Sequence, residues 1–279
     1  MNNRIDARFA ALARAGRVGL IPYITAGHPT PDSTVAVMHS LVEAGADLLE
    51  LGVPFSDVMA DGPVIQKACA RALEQGMTVD RVFAMVETFR AADTETPVIL
   101  MGYMNPVERR GVERFADQAR AAGVDALLLV DCPADEAAET RAVLAERGMH
   151  QIFLAAPTTT EVRMQRLAQV AGGFIYYVSL KGVTGSAELD ADSLAPVLAR
   201  LRSHSPLPLA VGFGIATAEQ AAAVAAHADA VVIGSALVRR LDAAADPDNA
   251  AAIARDYLAP IRDALDVAER ATATEAGQA

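Results

Sequence analysis

Three near-repeats constrain this chain more than any other feature: AGAD at 44–47, AGVD at 122–125 and AHAD at 226–229. Each joins an alanine-rich segment of helical period to a short apolar run. A small residue or glycine stops the helix, and a polar residue opens a strand buried on both faces. Repeated joins of this kind, with right-handed crossovers, leave two solutions, an open parallel sheet or a closed barrel. Eight apolar runs are present: VGLIPYIT (18–25), DLLELG (47–52), VILMGY (98–103), DALLLVD (125–131), QIFLAA (151–156), FIYYVS (174–179), LPLAVGF (207–213) and DAVVIGS (229–235). Eight strands in 279 residues favour an α/β fold, the (β/α)8 barrel. An extra N-terminal helix is expected over residues 3–15, with additional short helices, one of them in TVDRVFAMVETFRAA. Nothing resembles a linker, so residues 1–270 are expected to form one domain. Residues 271–279 have nothing to bury and are expected to form a disordered tail.

Composition narrows the function classes. The chain is 52% hydrophobic with 5% aromatics and no tryptophan, so its core must be built from Ala, Leu, Val and Ile. A net charge of -11 argues against binding to nucleic acid or an anionic membrane, which leaves small molecules and proteins as partners. No apolar run approaches the ~20 residues of a membrane span, and the first residues lack the pattern of a signal peptide. Cys69 and Cys132 have no metal-ligand spacing and form no disulfide framework, which fits a reducing cytosol. A cytoplasmic protein without a metal is expected.

In such a barrel the chemistry lies at the carboxyl ends of the strands. The second strand ends in ELGVPFSDVMADGP (50–63), which places Glu50 among leucines where a buried side chain is expected. A buried carboxylate is costly unless paired, neutralised or used. Either a neighbouring donor satisfies Glu50, or apolar surroundings raise its pKa so that it can both give and take a proton. Asp61 also has two readings, a site carboxylate or the N-cap of a helix with Pro63 in its first turn. Glycines after strands seven and eight, Gly212, Gly214 and Gly234 followed by Ser235, with Gly185 from GVTG, suggest a backbone grip on phosphate; close packing is the competing account. The two lysines, Lys67 and Lys181, lie off the strands, so a Schiff-base lysine on a strand is unavailable. His28 is read as an exposed loop histidine, and Ser179 and Ser235 lack evident His and Asp partners.

The motifs IPYITAGHP (21–29), ELGVPFSDVMADGPVIQ (50–66), GYMNPV (102–107), DCP (131–133), KGVTG (181–185), GFGI (212–215) and IGSAL (233–237) together resemble the tryptophan synthase alpha subunit family. The resemblance implies retro-aldol cleavage of indole-3-glycerol phosphate to indole and glyceraldehyde 3-phosphate, with indole passed to a beta subunit. It implies an alpha2-beta2 tetramer and no cofactor in this chain, pyridoxal phosphate belonging to the beta partner. By position, Glu50 matches the family's acid/base, Asp61 the carboxylate that holds the indole N–H, and Thr184 the threonine that orients it. Gly185, Gly214, Gly234 and Ser235 match the phosphate seat. Tyr23, Met101, Tyr103, Leu128 and Tyr176 match the walls of the indole pocket, while Asp57, Asn105 and Asp131 match positions that meet or signal to the partner. One departure is Val58, where the family usually has proline, so the Asp61 loop loses a restraint on φ. A phosphosugar isomerase barrel and a non-catalytic regulatory barrel that binds a phosphorylated ligand are the alternatives.

Overall fold

The computed structural model describes residues 3–178, 194–212 and 214–268. Among these, eight parallel strands close into a barrel in sequence order. They are β1 Gly19–Thr25, β2 Leu49–Gly52, β3 Val98–Gly102, β4 Ala126–Leu129, β5 His150–Ala155, β6 Ile175–Val178, β7 Leu209–Gly212 and β8 Ala230–Ile233. Each of the eight apolar runs supplies one. The described helices are α1 Arg4–Ala15, α2 Thr34–Glu43, α3 Pro63–Glu74, α4 Val79–Arg90, α5 Met104–Arg110, α6 Val112–Ala122, α7 Ala138–Glu146, α8 Glu161–Val170, α9 Leu194–His204, α10 Ala218–Ala225, α11 Ser235–Leu241 and α12 Pro247–Val267. The expected extra helices are α1 and α4.

The three near-repeats share one device. The carboxylates of Asp47, Asp125 and Asp229 accept the backbone N–H of Leu20, Val98 and Leu209 on the preceding strand, at 3.0, 2.9 and 2.9 Å. The aspartate N–H groups return bonds to the carbonyls of the same three residues. Each carboxylate also meets an arginine, Arg262 at 3.1 Å, Arg90 at 2.9 Å and Arg202 at 2.8 Å. Neighbouring strands are thereby locked in register at the amino-terminal rim. Asp47 and Arg262 are both buried, and breaking such a pair from one side costs about 3–5 kcal/mol.

Strand alternation sorts the apolar residues into two layers. Leu49, Leu51, Leu100, Leu127, Val211 and Val231 pack outward against the helices. Ile21, Leu48, Ile99, Leu128, Ile152, Tyr176 and Val232 fill the barrel interior. Helix α1 plugs the floor, because Ile5, Phe9 and Leu12 form one helical stripe that joins the inner layer. Phe9 packs on Phe174 with ring centroids 5.5 Å apart. Asn3 anchors this plug by accepting from Ile5 N–H and donating to the carbonyls of Asp125 and Gly148, each at 2.9 Å. With the floor closed, the carboxyl ends remain for a ligand.

Candidate active site

Alternation explains the acid among leucines. Leu49 and Leu51 face the helices, whereas Glu50 has the inward parity of Leu48 and stands in register with Tyr23 on β1 and Ile99 on β3. It is 2% exposed. Burial, assisted by the negative charge of Asp61, pushes its carboxyl from the ordinary 4.5 up to about 8. The group is therefore mainly protonated at neutral pH and can act first as an acid and then as a base.

Asp61 does not cap α3. The residue before a proline is driven to extended backbone, and Gly62, at φ -73° and ψ 165°, takes the N-cap place ahead of Pro63. The Asp61 carboxylate instead accepts a hydrogen bond from the Tyr103 hydroxyl at 2.8 Å. That hydroxyl accepts from the Ala60 N–H at 3.1 Å, so a single phenol holds both the carboxylate and the backbone of its loop. Phe55 backs the phenol, with ring centroids 5.6 Å apart. Burial raises the Asp61 pKa, and the Tyr103 bond opposes the rise. Tyr103 is recognisable from GYMNP, but neither Phe55 nor the pairing with Asp61 has a sequence signal.

Two glycines shape the wall. A Cβ on Gly52 would lie 2.1 Å from the Tyr23 hydroxyl, and one on Gly212 would lie 2.4 Å from the Tyr176 hydroxyl. Each tyrosine thus lies across the next strand at a place only glycine leaves open. For Gly212, close packing against Tyr176 by itself accounts for the glycine. The Tyr23 hydroxyl also meets Thr25 Oγ1 at 3.2 Å. Met101 packs against both the inner layer and the cluster of Tyr23, Ile65, Ala68, Cys69 and Val238, while Leu128 is fully buried in the inner layer.

Gly214 is exposed beyond β7, Gly234 joins β8 to α11, and Ser235 is the exposed first residue of that helix. A Cβ at Gly234 would come no closer than 3.7 Å to another atom, so that position faces room. Thr184 and Gly185 lie outside the described residues, as do Ser179 and Lys181. Asp57, Asn105 and Asp131 are exposed. Asp131 Oδ1 also accepts the Met104 N–H at 2.8 Å, which secures the start of α5 beside Tyr103. His28 contradicts its reading as an exposed loop residue: it is 2% exposed, because the loop after β1 folds under α11 toward Asp242.

A cavity of about 180 Å³ opens at the other end of the barrel, between Phe9, Leu12, Arg17, Arg202, Pro208 and Asp229. Its charged groups are already engaged, Arg202 with Asp229 and Arg17 with Asp266. Among the described residues no cluster of metal-ligand side chains is found, and no helix is long and apolar enough to cross a membrane.

The chain as a whole has counterparts among known proteins. The family described as tryptophan synthase alpha chain matches residues 9–265. The tryptophan synthase alpha chain of Thioalkalivibrio sulfidiphilus is 56% identical over 265 residues, covering 95% of this chain and all of that protein. That of Laribacter hongkongensis is 56% identical over 266 residues, covering 95% and 99%. The crystal structure of tryptophan synthase subunit alpha from Legionella pneumophila superposes with a TM-score of 0.88 at 46% identity, covering 95% of this chain and 99% of that one. The tryptophan synthase complex of Pyrococcus furiosus gives 0.79 at 35% identity, covering 88% and 98%. With the matched residues spanning the barrel and both acids at its mouth, the chain belongs to the tryptophan synthase alpha chain family, lyases that cleave indole-3-glycerol phosphate.

Proposed function

We propose that Glu50 and Asp61 carry the chain's retro-aldol reaction, in which indole-3-glycerol phosphate yields indole and glyceraldehyde 3-phosphate. The single observation that carries this reading is the pair of environments: Glu50 buried with its pKa pushed up to about 8, and Asp61 held by a phenol. Two carboxylates in unlike surroundings take unlike roles. Glu50 delivers its proton to the ring carbon that bears the side chain. The developing positive charge on the indole N–H is met by Asp61. The hydroxyl on the adjoining carbon then returns a proton to Glu50 as the carbon–carbon bond breaks, leaving an aldehyde and indole. The proton given equals the proton taken, so the enzyme ends as it began.

The pocket would be walled by Tyr23, Met101, Tyr103, Leu128 and Tyr176, with the phosphate at Gly185, Gly214, Gly234 and Ser235, where free backbone N–H groups suit an anion. Thr184 would orient Asp61. Such chemistry requires no cofactor in this chain, and pyridoxal phosphate is assigned to the beta subunit. Family membership implies that beta subunit as partner; Asp57, Asn105 and Asp131 are exposed where they could meet it, in an alpha2-beta2 tetramer in the cytoplasm. Family membership also favours the lyase over an isomerase or a regulatory barrel.

The test is indole release by the chain alone and with a beta subunit, together with Gly234→Asp. That variant sets a negative charge against the phosphate in a place with room for the side chain. It should abolish binding of glycerol phosphate while the thermal midpoint changes little. Unchanged affinity would move the phosphate seat elsewhere.

A further inference from the structure

Asp242 sits at the C-terminal end of α11, where a negative charge opposes the helix dipole. Two cations and a histidine converge on it, the histidine held below its ordinary pKa by burial. Lys67 Nζ lies 3.0 Å from Oδ2, Arg71 Nη1 3.6 Å from Oδ1, and His28 Nε2 3.5 Å from Oδ1. Lys67 and Arg71 are one helical turn apart on α3, so both side chains leave the same face. His28 is buried, facing the α11 backbone at Val238 as well as the Asp242 carboxylate. The C-terminal end of α3 is tied to the same loop, because Gln75 Nε2 donates to the Pro29 carbonyl at 3.1 Å.

The two helices joined here begin at the two ends of the active site. Helix α3 follows Asp61 directly, and Gln66 in its first turn donates to the Asp61 carbonyl at 2.8 Å, so the Asp61 loop must move with α3. Helix α11 starts at Ser235, beside Gly234. Ile65, Ala68 and Cys69 of α3 pack with Val238 of α11 and Tyr23 beneath them. That apolar seam resists separation but is non-directional, so it does little to stop one helix sliding on the other. The Lys67 hydrogen bond to Asp242, with the Arg71 charge beside it, supplies the missing direction.

We propose that Asp242 is a positioning residue for the lyase reaction: its contacts with Lys67, Arg71 and His28 hold α3 and α11 in the register that lets one substrate reach Asp61 and the phosphate seat together. This rests on the roles proposed for Asp61 and for the start of α11. A ligand that spans both ends depends on the tie, whereas one that touches only the phosphate seat does not.

The test uses Asp242→Asn in the full chain with two probes, indole joined to phosphate by an uncleavable three-carbon chain, and glycerol phosphate. The spanning probe should bind about tenfold more weakly and kcat/KM for substrate should fall about as far, as expected for a displacement well under 1 Å. Glycerol phosphate should change less than about twofold, and Asp242→Glu should recover most of the loss. Lys67→Met, which alters an exposed side chain, should shift the spanning probe in the same direction by a smaller factor. Equal weakening of both probes, or no weakening of either, would overturn the proposal. Asp61→Asn is run beside them: if it keeps full turnover, the role of Asp61 is wrong, whatever Asp242 does.

Discussion

Replacing Glu50 by glutamine separates the catalytic reason for this carboxyl from its structural cost. Glutamine is nearly isosteric and cannot cycle a proton, so indole release should fall by about 10²- to 10⁴-fold. Stability should move the other way. The folded chain keeps a proton on Glu50 between its ordinary 4.5 and about 8, whereas the unfolded chain gives it up. Wild-type stability is therefore lost progressively as pH rises through that window, because the unfolded state binds fewer protons there. Charging this fully buried group corresponds to as much as about 5 kcal/mol at pH 9, at about 1.4 kcal/mol for each pH unit. Glutamine carries no such dependence, so Glu50→Gln should be close to wild type near pH 4 and clearly more stable at pH 9. At roughly 2–4 °C per kcal/mol for a chain of this size, the thermal midpoints should separate by about 10 °C or more. Thermal or urea unfolding at pH 4, 7 and 9, with indole release at each pH, measures both effects. Parallel stability curves for the two proteins would show that Glu50 ionises normally and would remove the basis for its role. So would a variant that keeps more than a tenth of wild-type turnover.

Tyr103→Phe removes the hydroxyl that links Asp61 to the Ala60 N–H. Loss of a hydrogen bond to a charged group, about 1.5–3 kcal/mol, should lower kcat/KM by roughly 10- to 100-fold. Because that bond favours the ionised carboxylate, the acid limb of the pH–rate profile should move to higher pH, and an unmoved limb would show that Asp61 does not titrate in catalysis. Val58→Pro should raise the activity of the isolated chain and reduce stimulation by a beta subunit, since proline narrows the open loop ensemble by about 0.4–1 kcal/mol. The Val58 carbonyl, which accepts from Asp61 N–H at 3.2 Å and from Gln66, is kept by proline. An unchanged stimulation ratio in steady-state assays would mean that the loop is controlled elsewhere.

The strands, their order along the chain and the place of α1 and α4 were legible in the sequence, because hydrophobic period and helix stops are written within a few residues. Glu50 was legible for the same reason, since a carboxylate inside DLLELG breaks a local pattern. Its direction was not: inward parity with Tyr23 and Tyr176 acquires meaning only when β8 pairs with β1 and the sheet closes. Closure also decided between the two readings of Asp61, by bringing Tyr103 to it from 42 residues away, and it made Gly212 a slot for Tyr176. His28 sits in TAGHP, whose glycine and proline mark a surface turn, and looks exposed, yet it is buried beneath a helix that lies more than 200 residues later. Lys67 and Asp242, 175 residues apart, carry no mark of each other in the sequence. Periodicity is a local property of the backbone, so single segments declare it. Partnership between distant side chains depends on barrel register and helix packing, which come into being only when the whole chain is folded.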